Sequence, residues 1–365
     1  QKNEEELYVH NFDMRVYYPV AKYFPELRFD GVYKGSVMAY VDDDPRVSLQ
    51  SLRRVELRDL RTHRMRRVGD IEDEVADIRN RFSDERWEEF KDDMRYFRET
   101  MGRRDYLGSM KDHGGNATPV WIAIAHLIFS PTSASNTTLM IGALLDPLLL
   151  LITFGVVGWT FGWRTMAVAM VVFGANDFYM FGSNWGGATL RHDWMAYLGL
   201  GLCALKARWW IVGGALLALS ASIRAFPACA LLGLLGPPLW WVVDHYRTER
   251  KLPGLRRILE EQRPVLKVYL GVAIGSVVLL LFSSLLFTFD AWTEWLAAVL
   301  AAGRSLRLHH AALLGLLLIP VIFNPANYYI HFVYALPLLA CEVRRRDAPG
   351  GQRSSMSWTD AGVWW

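Results

Sequence analysis

Residues 139–158 read LMIGALLDPLLLLITFGVVG, twenty positions with a single charged side chain, Asp146. A helix of that length runs ~30 Å, the thickness of a bilayer's hydrocarbon layer, and bonds every backbone group within itself. Residues 268–289, VYLGVAIGSVVLLLFSSLLFTF, repeat the pattern with no charge at all. Working outward, Met166 to Phe181 also qualifies, and Leu190 to Leu205, Trp209 to Ile223 and Ala228 to Val243 are shorter runs separated by small polar breaks. Ala311 to Phe323 and Tyr328 to Cys341 flank Asn324-Pro325-Ala326-Asn327 and are weaker candidates. The expected fold is therefore all-α: a polytopic transmembrane helix bundle over 119–343, with membrane lipid as its first partner. A helical extracytoplasmic segment, 1–118, precedes it, and a basic flexible tail, 344–365, follows.

With 52% hydrophobic and 21% charged residues among 365, the composition excludes disorder, collagen and coiled coil. A net charge of +3 supplies no general basic field, so nucleic acid is not an expected partner. Cys203, Cys229 and Cys341 sit in apolar runs without metal-ligand spacing or a disulfide framework. No phosphate-cradling glycine loop, dinucleotide fingerprint, Gly-x-Ser-x-Gly elbow or His-Glu-x-x-His is present, which removes support for nucleotide hydrolysis and familiar protease chemistry. The chain begins at Gln1 with no apolar run before Leu7, and it reads as a fragment or processed form that lacks an N-terminal anchor. Nothing marks an oligomeric state.

Lys and Arg in short loops mark the cytoplasmic side. The 244–267 loop carries Arg247, Arg250, Lys251, Arg256, Arg257, Arg263 and Lys267, and the tail opens with Arg344, Arg345 and Arg346. Counting spans back from that loop places Arg164 and the Lys206/Arg208 turn inside, and residues 1–118, the 182–191 loop and the Arg224 turn outside. Three crossings after Lys267 would put the Arg344 tail outside, so either the Ala311 run stops short of crossing or Trp292 to Ala302 does more than lie in the interface.

The polar segment has its own periodicity. Ile71, Val75, Ile78 and Phe82 form one helical stripe, and Trp87, Phe90, Met94, Phe97 and Met101 form the next. Ser83 reads as an N-cap with Asp84 and Glu85 in the first turn, Phe82 stapling to Trp87, and Gly102 as the stop. Two amphipathic helices in a solvated hairpin are expected. Arg61, Arg64, Arg66 and Arg67 form a basic cluster that either lies on a solvated face or meets lipid head groups. Further upstream, His10-Asn11-Phe12-Asp13, Tyr17-Tyr18-Pro19 and Lys22-Tyr23-Phe24 mix aromatic and polar groups, as a surface at head-group level does. A carboxylate there, Asp13, is either a local cap or a base for a sugar hydroxyl.

Polar residues recur at the outer ends of the spans. Arg191, in Leu190-Arg191-His192-Asp193-Trp194, and Arg224, in Ser222-Ile223-Arg224-Ala225-Phe226-Pro227, are isolated cations beside apolar runs. Such residues pair, snorkel or bind an anion such as a lipid phosphate. Asp146 precedes Pro147 within a span, which suits a carboxylate bonded to backbone that the proline frees, and Asp177 follows Asn176 near an outer end. Asp112-His113-Gly114-Gly115-Asn116 returns the polar segment to the membrane, ahead of Pro119 and an apolar helix over Val120 to Phe129. His113 has no partner at metal-ligand spacing, and no metal site is expected. Asn116-Ala117-Thr118 and Asn136-Thr137-Thr138 match the glycosylation acceptor pattern, a weak signal at three residues.

Asp13 in the first outer loop, Leu190-Arg191-His192-Asp193-Trp194, Arg224-Ala225-Phe226-Pro227, and Asn324-Pro325-Ala326-Asn327-Tyr328-Tyr329 leading to Leu336-Pro337-Leu338-Leu339 together resemble the GT-C class of integral-membrane glycosyltransferases. The pattern is most similar to bacterial polyprenyl-phosphate-mannose-type transferases and covers most of the chain loosely. The charged insertion between Asp43 and Lys111 is longer than that family's usual first loop. The resemblance implies an enzyme of the bacterial inner membrane that takes a sugar from a polyprenyl-phosphate carrier and delivers it to an acceptor hydroxyl. Asp13 is implied as general base, with Arg191 and Arg224 on the lipid phosphate. It further implies His10, Lys22, Asp112, His113, Asp177, His192, Asp193, Tyr328 and Tyr329 around sugar, acceptor or carrier, and it leaves room for a divalent cation. Two other readings stand beside it: a transporter whose pathway is lined by Asp146 and Asp177, and a non-catalytic membrane scaffold.

Overall fold

A computed structural model describes residues 8–115, 117–175, 186–225 and 227–303. In chain order the elements are α1 (Asn11–Lys22), α2 (Phe24–Leu27), α3 (Val32–Asp43), α4 (Leu49–Leu52), β1 (Glu56–Asp59), β2 (Arg64–Arg67), α5 (Glu72–Asp77), α6 (Asp84–Gly108), α7 (Pro119–Phe129) and α8 (Asn136–Phe161). They continue as α9 (Trp163–Ala175), α10 (Asp193–Lys206), α11 (Trp210–Ile223), α12 (Ala228–Gly233), α13 (Gly236–Glu249), α14 (Leu255–Glu261), α15 (Arg263–Phe287) and α16 (Asp290–Gly303). The chain is mostly helical, and it divides into two compact units. The first holds described residues up to Asp146 together with 186–191 and 281–303; the second holds 147–175, 192–225 and 227–280. The first unit thus runs past residue 118, where the composition changes, and takes in α7 and the start of α8.

In the first unit α1 is the central rod, packed against α6 and α7, and α3 packs on α6. Met14, Tyr18 and Ala21 on α1 are fully buried, as are Phe90 and Phe97 of α6 and Val120 and Ile122 of α7. Both stripes expected in the 71–101 region face this core: Ile71, Val75, Ile78 and Phe82, then Trp87, Phe90, Met94 and Phe97, are buried, while Met101 at the end of the second is half-buried. Ser83 caps α6 by accepting from the Arg86 N–H at 3.3 Å, and the Phe82 and Trp87 rings meet at 5.1 Å. Gly102 is a kink rather than a stop: at φ 77 and ψ 157 it breaks the helical path, and the chain then resumes helix to Gly108. The first helix of the expected pair is shorter than predicted, because α5 passes into a 3-10 turn over Ile78–Arg81.

Charged groups are also built into this core. Lys22 Nζ lies 2.8 Å from Asp93 and 2.7 Å from Glu89. The Tyr23 hydroxyl donates to Asp93 at 2.6 Å, as does the Ala134 N–H. A lysine and a carboxylate survive such burial only when paired and hydrogen-bonded on every side. The network ties α1 to α6 and to the turn before α8.

The all-α expectation misses one element, an antiparallel β1–β2 hairpin that pairs Glu56 with Arg67 and Asp59 with Arg64. Leu57 and Asp59 point inward while Glu56 and Arg58 are half-buried, the period of a strand with one covered face. The Asp59 carboxylate closes the turn by accepting from the Arg61 N–H at 3.0 Å and the Thr62 hydroxyl at 2.7 Å.

In the second unit α10 packs on α11, and α11 on α15, at glycines. A Cβ on Gly201 would sit 3.2 Å from Leu217 and one on Gly213 2.6 Å from Leu205, while methyl groups on Gly214 or Gly271 would run into the facing carbonyls of Val268 and Ile211. Small residues at crossings let helix backbones approach, the packing typical of apolar helices in lipid. The expected Ala228–Val243 span is broken into α12 and α13, because Pro237 and Pro238 in the first turn of α13 lack the N–H groups that a continuous helix needs. The expected Leu190 start also moves: Leu190 takes φ 50, and α10 begins at Asp193.

Among the described residues α8, with 26 residues, and α15, with 25, are long and apolar enough to cross a membrane. Only 33% and 17% of their most apolar windows are buried, whereas a core helix of a water-soluble protein would hide most of its length. Leu151, Trp159, Val277, Val278 and Leu285 face outward. The described part of α16 runs 14 residues, or ~21 Å. The 311–323 and 328–341 candidates lie outside the described residues.

Candidate functional site

The loop over 186–191 and the first turn of α1 are joined by backbone. The His10 N–H donates to Gly187 O at 2.9 Å, and a Cβ on Gly187, whose φ is 88, would sit 2.9 Å from His10 N and 3.0 Å from Val9 Cα. Only glycine fits there. Trp121 of α7 holds the same loop by donating from Nε1 to Leu190 O at 3.0 Å, and the Tyr17 ring meets Trp121 edge-on at 5.2 Å. The Thr189 N–H points at Met14 Sδ, 3.4 Å away.

This scaffold brings Arg191 onto Asp13. Arg191 Nη1 donates to Asp13 Oδ2, with the two side chains 9% and 16% exposed, so the pair is shielded but not sealed. His10 completes the group: its Nδ1 caps the Asp13 N–H at 3.3 Å and lies 3.4 Å from the carboxylate. Burial pushes the Asp13 carboxyl up, but hydrogen bonding with His10 and the charge of the Arg191 guanidinium outweigh it and hold it below its ordinary value. Asp13 is therefore ionised at neutral pH, and its anionic oxygen is already engaged.

The remaining predicted residues divide. Lys22 lies nine positions further along α1 and is committed to Asp93 and Glu89. Asp112 and His113 are exposed beside the β-hairpin, where the rings of His113 and His63 lie 6.3 Å apart. Partial desolvation of its ring, with the charge of Arg58, lowers the His113 pKa. His192, Asp193 and Arg224 belong to the second unit. There the His192 ring meets Phe173 at 5.7 Å, Asp193 opens α10 and accepts from the Trp194 N–H at 2.7 Å, and Arg224 ends α11. Asp177, Tyr328 and Tyr329 lie outside the described residues. No group of three or more His, Cys, Asp or Glu placed to hold a metal occurs among the described residues.

Two positions escaped the sequence reading. Gly187 carries a signal in hindsight, since it stands beside Gly186 just before Arg191. Arg15 carries less. It is fully buried with its guanidinium over the Tyr33 and Tyr106 rings, 5.1 and 5.0 Å from their centroids, and is held by ring faces. Comparison with protein-family models, with curated proteins and with solved structures finds no match to this chain.

Proposed function

We propose that this chain is an integral-membrane glycosyltransferase, similar to the GT-C class, that moves a sugar from a polyprenyl-phosphate carrier to an acceptor hydroxyl. The observation that carries the reading is the meeting of Asp13 with Arg191 across 178 positions of sequence, in a partly accessible setting fixed by Gly187 and Trp121. The outward-facing apolar surfaces of α8 and α15 support a bilayer location. In this reading the shorter apolar helices complete a polytopic bundle in a bacterial inner membrane, with residues 1–118 extracytoplasmic.

The chemistry is a single displacement. The acceptor oxygen attacks the anomeric carbon while its proton passes to Asp13. The bond from that carbon to the phosphate oxygen breaks, and polyprenyl phosphate leaves with the electron pair. Arg191 exchanges the Asp13 carboxylate for a phosphate oxygen of the donor. That exchange has a useful consequence: one of the two groups that keep Asp13 a weak base, the guanidinium, departs as donor binds, so basicity rises in the loaded enzyme.

The test is release of polyprenyl phosphate from a panel of polyprenyl-phosphate sugars by the purified chain in proteoliposomes. Asp13→Asn is expected to abolish release while leaving membrane insertion intact. Undiminished turnover in that variant refutes the role.

A further inference from the structure

Many arginines of the first unit are matched to carboxylates: Arg28 to Glu294, Arg46 to Asp44, Arg79 to Asp84, Arg86 to Glu26, Arg95 and Arg98 to Asp43, and, from the hairpin turn, Arg61 to Asp30. The β-hairpin differs. Residues 53–67 carry seven arginines against two carboxylates, Glu56 and Asp59. Both carboxylates have other duties, since Glu56 accepts from Lys111 Nζ at 3.1 Å and Asp59 closes the hairpin turn. Arg53, Arg54, Arg64 and Arg67 are exposed and have no ion-pair partner among the described residues. Met65, flanked by Arg64 and Arg66 on β2, is 41% exposed, and β2 is an open edge of a two-stranded sheet.

We infer that this hairpin is an interaction surface for anionic lipid head groups. Guanidinium groups bind phosphate oxygens with paired donors, and an exposed methionine among them supplies an apolar contact that reaches below the head groups. A bilayer is favoured over a soluble polyanion because the same chain carries two helices of bilayer length, which tethers lipid to the chain and raises its effective concentration. The inference is independent of the transferase reading.

The test uses the full chain with Cys203, Cys229 and Cys341 replaced by alanine, Met65→Cys carrying an environment-sensitive fluorophore, and Glu85→Cys on α6 as the control site. In nanodiscs of phosphatidylglycerol the label at position 65 should shift to the blue relative to phosphatidylcholine discs, and the label at 85 should not. The shift should vanish in about 1 M salt, where the screening length falls to ~3 Å, and in the Arg53→Gln/Arg54→Gln/Arg64→Gln/Arg67→Gln variant. Equal emission in the two lipids at position 65 overturns the inference. So does a response to dextran sulfate in solution without one to anionic bilayers, which would make a soluble polymer the partner.

Discussion

At Asp13, burial and charge pull in opposite directions, and charge wins. The same holds at Asp30, where hydrogen bonding and charge from Arg81 outweigh burial, and at Asp43, where Arg95 and Arg98 do so. A carboxyl with a depressed folded-state pKa contributes stability above its unfolded value and loses it as pH falls through the folded one. Melting temperature should therefore hold steady from neutrality down toward the ordinary value of 3.8 and fall below it. A decline already under way near pH 6 would show that these pairs do not govern acid stability. The Lys22–Asp93 network makes a sharper prediction. Asp93→Ala leaves the fully buried Lys22 with only Glu89 as an acidic partner, and about 3–5 kcal/mol should be lost, read as a fall in the denaturant midpoint in detergent. Asp13, Arg191 and Lys22 were each visible in the sequence as candidates. Their division was not, because Asp93 and Arg191 reach α1 through contacts 71 and 178 positions away, and spacing along the chain has no bearing on those.

Elements were legible where their determinants are local. Ser83, Phe82 and Trp87 announce the start of α6 within five residues, and both apolar stripes face the core because helical period alone decides that. The β-hairpin was overlooked because its strands are four residues each and their alternation is written in arginines rather than apolar side chains. The 228–243 run looked continuous by hydropathy, which is blind to the missing N–H groups of Pro237 and Pro238. Packing at glycine is the element-scale feature most open to test. Gly271→Val drives a side chain into the Ile211 carbonyl and should separate α11 from α15, at a cost of about 1–3 kcal/mol. An unchanged thermal midpoint in that variant would mean that the two helices do not approach at this crossing.

For the molecule as a whole, the two compact units cut across the change in composition. The charge-rich residues up to 115 belong to a compact unit that also includes α7, the loop carrying Arg191 and the residues from Leu281 to Gly303. Composition located the apolar half without revealing which of its pieces return to the polar half, since hydropathy scores a residue and not its neighbours in space. The proposed activity depends on one such return, that of Arg191 to Asp13. The most direct measurement is sugar transfer from polyprenyl-phosphate donor in proteoliposomes by wild type, by Asp13→Asn and by the charge-exchanged Asp13→Arg/Arg191→Asp variant. A base and a phosphate-binding cation have fixed places relative to substrate, so exchanging them should restore the ion pair and the melting temperature while transfer stays absent. Transfer by the wild type that the exchanged variant regains would contradict the proposal, because it would make the pair a fastening of the fold rather than the place where the sugar moves.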